Sequence, residues 1–124
     1  MLTEIINKPV FVTNYIGDEV AFYHAIDTKN PKLVINADFL FPGYGELIGS
    51  GERVHTRQET KEKAKHFKLN MKDYQCYIDS RDSKNPQIHS GWGMGIERLI
   101  QSILKFPFIW EVKPFPRVNG QMYP

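Results

Sequence analysis

A glycine-rich segment in the last third of the chain holds the residues best suited to contact a phosphate. It reads Gly91-Trp-Gly-Met-Gly-Ile-Glu-Arg-Leu99. Alternate glycines remove side chains from one face of a strand, so that a flat or charged ligand can lie against the backbone. A helix starting directly afterwards would point its first amides at the same place, which favours anions, and Arg98 would lie opposite its apolar stripe, free to meet a phosphate. The segment is neither a Walker loop nor a dinucleotide fingerprint, and taken alone it more often reflects close helix–strand packing.

A second group of charged residues lies on two predicted neighbouring strands. Asp38 is on one strand, and Glu46, Glu52 and Arg53 are on the next. Two carboxylates across a hairpin could hold Mg²⁺, and Arg53 could bind a carboxylate through two hydrogen bonds. Strict alternation places Glu46 and Arg53 on opposite faces, so a common site requires a β-bulge in the segment 49–51. The alternative interpretation is a solvated strand face.

Other side chains with reactive or aromatic groups are predicted to have structural roles. Cys76 lies in the apolar stripe of a predicted helix and is expected to pack there. Trp92 and Trp110 are expected in the core. The histidines without metal-ligand spacing are expected to be structural or exposed, and these are His24, His55 and His66.

Four short strands are predicted in the first half of the chain. They cover residues 9–15, 20–26, 32–41 and 46–54, and turn-forming residues separate them, including Pro42-Gly43-Tyr44-Gly45. Successive short strands with tight connections are typical of an antiparallel meander.

The second half of the chain is mostly helical in pattern. Thr56 and Glu59 form a capping box, and Asn70 is predicted to cap a second helix. A loop over 80–86 and a glycine-rich strand over 87–94 precede a helix from about Gly95, which Phe106-Pro107 ends. Its apolar stripe consists of Ile96, Leu99, Ile100, Ile103 and Leu104. The tail is predicted to be extended because of its prolines. Strands first and helices later predict an α+β fold, an antiparallel β-sheet with flanking helices.

The composition predicts a single domain over residues 1–124. The chain has 16 basic and 14 acidic residues and a formal charge of +2, so binding nucleic acid through its backbone alone is disfavoured. It has one cysteine and therefore no intrachain disulfide. The absence of a long apolar run and of a secretory signal predicts no membrane association and a cytoplasmic location.

The segment 89–104 resembles motif 3 of the class II aminoacyl-tRNA synthetases. Asp38-Phe-Leu-Phe-Pro-Gly-Tyr-Gly-Glu-Leu-Ile-Gly-Ser-Gly-Glu-Arg53 resembles the strand pair of the asparaginyl branch of that family. Pro9-Val-Phe-Val-Thr-Asn-Tyr15, Ala21-Phe-Tyr23 and the ending 114–124 resemble further parts of it in the same order. The resemblance covers essentially the whole chain, and several motifs in register are far more specific than one.

This resemblance implies a site that binds ATP, Mg²⁺ and an amino acid, asparagine or aspartate. Arg98 would be the catalytic residue, in contact with phosphate. The ATP-binding residues would be Glu46, Gly93, Gly95, Ile96, Glu97 and Arg98, and the amino-acid-binding residues would be Arg53, Gly49 and His89. Glu46 and Asp38 would hold the metal.

The chain also departs from the family pattern. Tyr15-Ile16-Gly17 stands where the family has Tyr-Pro-Lys, and Gly51-Glu52 stands where Ser-Gln is usual. No counterpart of the anticodon-binding barrel, of motif 1 or of the motif 2 arginine is found in the chain. We therefore expect the C-terminal half of a catalytic domain that is inactive alone.

Such a half-domain would be expected to self-associate or to bind a complementary chain carrying motifs 1 and 2, and to use tRNA only when completed. The alternative functions are an ammonia-dependent asparagine synthetase relative and a non-catalytic paralogue that binds a nucleotide or a partner.

Overall fold

The computed structural model describes residues 2–82 and 84–120. The helices are α1 (Leu2–Ile6), α2 (Arg57–His66), α3 (Gln75–Asp79) and α4 (Ile96–Leu104), and the strands are β1 (Val10–Thr13), β2 (Asn36–Phe41), β3 (Gly45–Glu52) and β4 (Ser90–Met94). The strands form one antiparallel sheet in the order β1-β2-β3-β4. This confirms the predicted α+β class. Short 3₁₀ helices lie at Gly17–Glu19 and Ile109–Val112.

The predicted strand over 20–26 is wrong, and the reason lies in how this segment pairs. Its residues form only isolated antiparallel bridges, Ile26 with Val34 and His24 with Arg53. The Ala25 N–H donates to the Glu52 carbonyl, and the Ala25 carbonyl accepts from the Ile35 N–H, both at 2.9 Å. The segment therefore divides its hydrogen bonds between two neighbours and forms no continuous ladder with either. The predicted strand over 32–41 is correspondingly shorter, since β2 begins at Asn36. The fourth place in the sheet belongs to β4.

The chain divides into two compact units. The first unit comprises Met1–Phe11, Asp38–Gly49 and Gly93–Pro124, and the second comprises Val12–Ala37 and Ser50–Trp92. Ser83 of the predicted loop and residues 121–124 of the ending lie outside the described residues. The single domain over 1–124 stays a prediction.

In the first unit, α4 lies where the sequence predicts it. The helix ends at Lys105 with a left-handed φ of 57°, one residue before Phe106-Pro107. The side-chain amide of Gln101 donates to the carbonyls of both those residues, at 3.1 and 3.3 Å. Four members of the predicted apolar stripe are exposed, namely Ile96, Ile100, Ile103 and Leu104.

Near the C-terminal end of this unit, Trp110 stacks on Phe108 with ring centroids 4.4 Å apart. It is exposed and does not belong to the core, contrary to prediction. The 3₁₀ helix that contains Trp110 ends at Val112, before the tail over 113–117 that the sequence predicts to be extended, and Lys113 has an extended backbone with φ −103° and ψ 130°.

The second unit holds a small apolar core of Phe22, Ala25, Val34, Val54, Ala64 and Ile78. Phe22 contacts the rings of Tyr74 and Tyr77 edge-on. At the start of α2 the Thr56 hydroxyl accepts from the Glu59 N–H at 3.2 Å, which confirms the predicted cap.

The second predicted helix of this unit begins later than expected. Asn70 caps a turn through the Lys72 N–H, and α3 starts only at Gln75. Cys76 and Trp92 are exposed, contrary to prediction, because residue type and helical spacing do not determine which face of an element is covered. No helix in the described part of the chain has the length and apolarity needed to cross a membrane.

Candidate functional site

Two carboxylates of the first unit converge on Gly49. A Cβ built on this glycine would lie 2.7 Å from Glu46 Oε1 and 3.5 Å from Asp38 Oδ1. Glu46 is exposed and Asp38 is half-buried. Any larger residue at position 49 would therefore displace the Glu46 carboxylate and crowd Asp38, so glycine keeps the space between them open.

The approach of Glu46 to Gly49 also shows where β3 departs from strict alternation. Residues three apart in a regular strand point to opposite faces and are roughly 10 Å apart along it. A glutamate side chain cannot cover that distance, so the backbone must deviate between residues 46 and 49. A bulge in the segment 49–51 is the condition that the sequence sets for a site shared by Glu46 and Arg53. The common site for Glu46 and Arg53 stays a prediction.

The chemistry of the two carboxylates suits Mg²⁺ that arrives with a nucleotide. Among residues 2–82 and 84–120, no group of three or more His, Cys, Asp or Glu side chains could hold a metal ion by itself. Mg²⁺ is commonly bound by one or two carboxylates, with phosphate oxygens and waters completing its six ligands. Asp38 and Glu46 fit that pattern.

Arg98 is held against β3 and does not extend freely from its helix as predicted. Its Nη1–H donates to the Glu46 carbonyl. The Gly95 N–H, at the start of the same helix, donates to the Leu47 carbonyl at 3.1 Å. A Cβ on Gly95 would lie 3.6 to 3.8 Å from three carbons of the Arg98 side chain. The arginine is exposed and keeps several of its five N–H donors for a ligand.

The other predicted ATP contacts surround this helix start. A Cβ on Gly93 would meet no atom within 4 Å, so the backbone there is open on that face. Ile96 is 54% exposed, which suits an apolar contact with a flat ring. Glu97 lies 3.8 Å from Lys113 Nζ, and the lysine offsets its negative charge near the helix start. The first turn of α4 thus combines free surface, an arginine and the favourable end of the helix dipole.

In the second unit, Arg53 is fixed by an aromatic ring and an imidazole. Its Cζ lies 4.5 Å from the centroid of the Tyr23 ring, and its Nη1 lies 3.5 Å from His24 Nδ1. Its backbone N–H donates to the His89 carbonyl at 2.9 Å. Within the described residues no carboxylate forms an ion pair with Arg53. A guanidinium held by its face, with its edges available, is suited to bind an anionic ligand.

His89 touches this arrangement through its backbone. Its ring Nδ1 lies 3.0 Å from the Gln87 carbonyl, and the side chain is half-buried. His89 and Arg53 are therefore joined through their backbones. The predicted contact of the His89 ring with an amino acid stays a prediction.

Tyr23 and His24 are the residues that sequence reasoning missed as part of the site. The sequence motifs assign no role to Tyr23, and the spacing of His24 predicts only a structural or exposed residue. The signal in the sequence is the glycine at position 51. The structure shows why a glycine is needed, since a Cβ there would lie 2.6 Å from His24 Cε1.

Comparison with known proteins identifies the family. Residues 2–119 match the family described as tRNA synthetases class II (D, K and N). The chain belongs to this family.

The curated relatives are asparagine–tRNA ligases. The chain is 39% identical over 125 residues to that of Roseiflexus sp. (strain RS-1), with 100% of this chain and 28% of the relative covered. It is 42% identical over 117 residues to that of Clostridium tetani, with 94% of this chain and 25% of the relative covered. The chain thus spans about a quarter of the length of the relatives it matches.

The structural comparison also finds asparaginyl-tRNA synthetases. Asparaginyl-tRNA synthetase from Pyrococcus horikoshii, complexed with asparaginyl-adenylate, superposes with a TM-score of 0.91 at 35% identity. The match covers 99% of this chain and 28% of that one. The chain is therefore a piece similar to part of an asparaginyl-tRNA synthetase.

Proposed function

We propose that this chain forms the ATP- and amino-acid-binding part of a site that makes asparaginyl-adenylate. The observation that carries the proposal is the cluster in the first unit, where Asp38 and Glu46 converge on Gly49 and Arg98 is bonded to the Glu46 carbonyl. Because the chain belongs to a class II synthetase family, we interpret this cluster as part of an adenylate-forming site. In the proposed reaction, the α-carboxylate of the amino acid attacks the α-phosphorus of ATP, and pyrophosphate leaves.

Each residue of the cluster has a part that its position supports. Asp38 and Glu46 would hold Mg²⁺, which when bound neutralises charge on the phosphate oxygens. Arg98 would donate N–H groups to a phosphate, and its bond to the Glu46 carbonyl keeps it in place before the ligand arrives. Gly93 and Gly95 would form the floor beneath the adenine ring, and Ile96 and Glu97 would complete that surface.

Arg53 would bind the amino-acid substrate. Its face lies on Tyr23, so its N–H donors at the edge can form two hydrogen bonds with a carboxylate. His89, whose carbonyl accepts from the Arg53 N–H, would line the same substrate. We propose asparagine over aspartate, because the relatives named above are asparagine–tRNA ligases and the Pyrococcus neighbour is complexed with asparaginyl-adenylate. Transfer to tRNA in the cytoplasm would follow, by the same likeness.

We further propose that catalysis requires association. Large apolar side chains are exposed at both sheet edges, since Phe11 on β1 and Trp92 on β4 are each 68% exposed. Exposed strand edges with apolar side chains favour pairing with another chain. The partner would be a second copy or a chain carrying motifs 1 and 2, and the 124-residue chain alone would show no asparagine-dependent pyrophosphate exchange. The relatives named above give no support to the asparagine synthetase and non-catalytic alternatives.

Calorimetry with Mg-ATP tests the proposed site. Arg98→Ala removes charged hydrogen bonds worth about 1.5–3 kcal/mol, so the affinity should fall by about tenfold or more. Arg117→Ala, which changes an exposed arginine of the same unit, is the matched control and should bind as the wild type does. Equal affinity in all three proteins would remove Arg98 from the site. No binding by the wild type would contradict the proposal.

A further inference from the structure

His24 and Arg53 face each other across a pair of antiparallel segments. Backbone hydrogen bonds of 2.9 Å lie on either side of this pair, and none joins the two residues directly. In an antiparallel pair of this type the Cα atoms are about 4.5 Å apart and the side chains are closest. The backbone thus places the imidazole beside the guanidinium before any ligand binds.

The contact between the two side chains defines the protonation state of His24. Arg53 Nη1 lies 3.5 Å from Nδ1, and arginine can only donate hydrogen bonds. Nδ1 must therefore be the acceptor, which makes His24 the neutral tautomer with its proton on Nε2.

Further contacts fix His24 in place. Lys63 of α2 donates its Nζ–H to the backbone carbonyl of His24. The Tyr23 ring also contacts the imidazole, with ring centroids 4.9 Å apart. The His24 side chain is 9% exposed, so little solvent competes for its contact with Arg53.

Two glycines leave the space that this arrangement needs. Gly51 makes room for the His24 ring, whose Cε1 would lie 2.6 Å from a Cβ at that position. Gly91 makes room for Arg53, whose Nη2 and Nε would lie 3.0 and 3.1 Å from a Cβ. The His24 ring and the Arg53 guanidinium therefore occupy space that a larger side chain at position 51 or 91 would fill.

We propose that His24 is a positioning residue for Arg53. In its neutral form it accepts a hydrogen bond from Nη1, while Tyr23 supports the face of the guanidinium, and together they direct the remaining N–H donors toward the carboxylate of the amino-acid substrate. The inference rests on the proposed function for the role of Arg53 in substrate binding. The tautomer and the contact stand on the geometry alone.

The first experiment measures the tautomer in the 124-residue chain without ligand. Long-range ¹⁵N–¹H correlation spectra at pH 7.5 should show a proton on Nε2 of His24 and none on Nδ1. In Arg53→Ala, which removes the donor, the tautomer with the proton on Nδ1 should also be populated. A proton on Nδ1 in the wild type, or the same tautomer distribution in the variant, would overturn the proposal.

The second experiment measures asparagine binding by calorimetry. In His24→Asn the side-chain oxygen takes the place of Nδ1, so affinity should stay within about threefold of the wild type. His24→Leu has no acceptor and should bind about tenfold more weakly, as expected for one lost hydrogen bond. Mg-ATP affinity should be the same in all three proteins.

Equal asparagine affinity in His24→Leu and wild type would refute the positioning role. Loss in His24→Asn as large as in His24→Leu would also refute it, since acceptance at Nδ1 would not be the cause. If the wild type binds neither asparagine nor ATP, the proposed function fails, and the tautomer measurement still decides whether His24 accepts from Arg53.

Discussion

Replacing Gly51 with alanine tests whether the His24 ring is fixed in place. The new Cβ would lie 2.6 Å from His24 Cε1 and 3.1 Å from the Asn36 Cβ, whereas ordinary contacts between carbons are about 3.5–4.0 Å. The imidazole must therefore retreat by roughly 1 Å, within a buried environment that offers little room. Such overpacking costs about 1–3 kcal/mol, offset by about 0.4–1 kcal/mol from the stiffer unfolded chain.

We expect Gly51→Ala to lower the free energy of unfolding by about 1–2 kcal/mol, and Tm by several degrees. The assay is urea denaturation followed by circular dichroism. Gly93→Ala is the matched control, because that glycine lies on a strand with no atom within 4 Å of its Cβ position. The control should be neutral or slightly stabilising.

A double-mutant cycle identifies the cause of the loss. In the His24→Ala background the space is empty, so the added methyl of Gly51→Ala should cost almost nothing. Equal stability of Gly51→Ala and Gly93→Ala would refute the reasoning. Additive effects of the His24 and Gly51 changes would show that the ring is not what the methyl meets.

Three further changes probe other parts of the structure. Gly91→Ala should displace the flexible end of Arg53 and weaken asparagine binding about tenfold in calorimetry, with an unfolding free energy within about 0.5 kcal/mol of wild type. Burial lowers the pKa of Lys63 below its ordinary value of 10.5, despite the opposing charges nearby. Between the lowered pKa and 10.5, the unfolded chain therefore holds a proton that the folded chain has released. The free energy of unfolding of the wild type, measured relative to Lys63→Met by urea titration, should rise as the pH approaches 10.5. Well below the lowered pKa this difference should not change with pH. Phe11→Lys and Trp92→Lys, which place charges on the sheet edges, should shift the mass from light scattering toward 14.4 kDa; an unchanged mass would exclude these edges from association.

Features that depend on neighbouring residues could be predicted from the sequence. The Thr56 cap, the connection before Gly45 and the start of α4 directly after Gly95 all lie within one or two residues of expectation. Each is fixed by local hydrogen bonds or by a glycine with positive φ, as at Gly43 (φ 78°), and local sequence specifies both.

Features that depend on distant partners could not be predicted. The segment 20–26 has the composition of a strand, but its pairing with two separate segments is a property of the tertiary structure. Periodicity in α4 indicates which residues share a face and says nothing about what covers that face. Residue type predicts a core position for Trp92 and Trp110, and both are exposed.

The candidate site shows the same division. The motifs select Asp38, Glu46 and Arg98, which lie together in the first unit, and their roles in a site stay predictions. The bond from Arg98 to the Glu46 carbonyl joins residues 52 apart, and the contact between Arg53 and His24 joins residues 29 apart. Spacing within a motif carries no information on contacts of this kind, so the positioning of both arginines is visible only in the structure.

The most direct test of the proposed function is the binding of a non-hydrolysable asparaginyl-adenylate analogue to the 124-residue chain. Calorimetry should show tighter binding of this analogue than of Mg-ATP, and weaker binding of the corresponding leucyl analogue. Arg98→Ala should reduce the affinity about tenfold or more, because it removes hydrogen bonds to the charged phosphate-like group of the analogue. Equal affinity for the asparaginyl and leucyl analogues, or unchanged affinity in Arg98→Ala, would contradict the assignment of this chain to an asparaginyl-adenylate site.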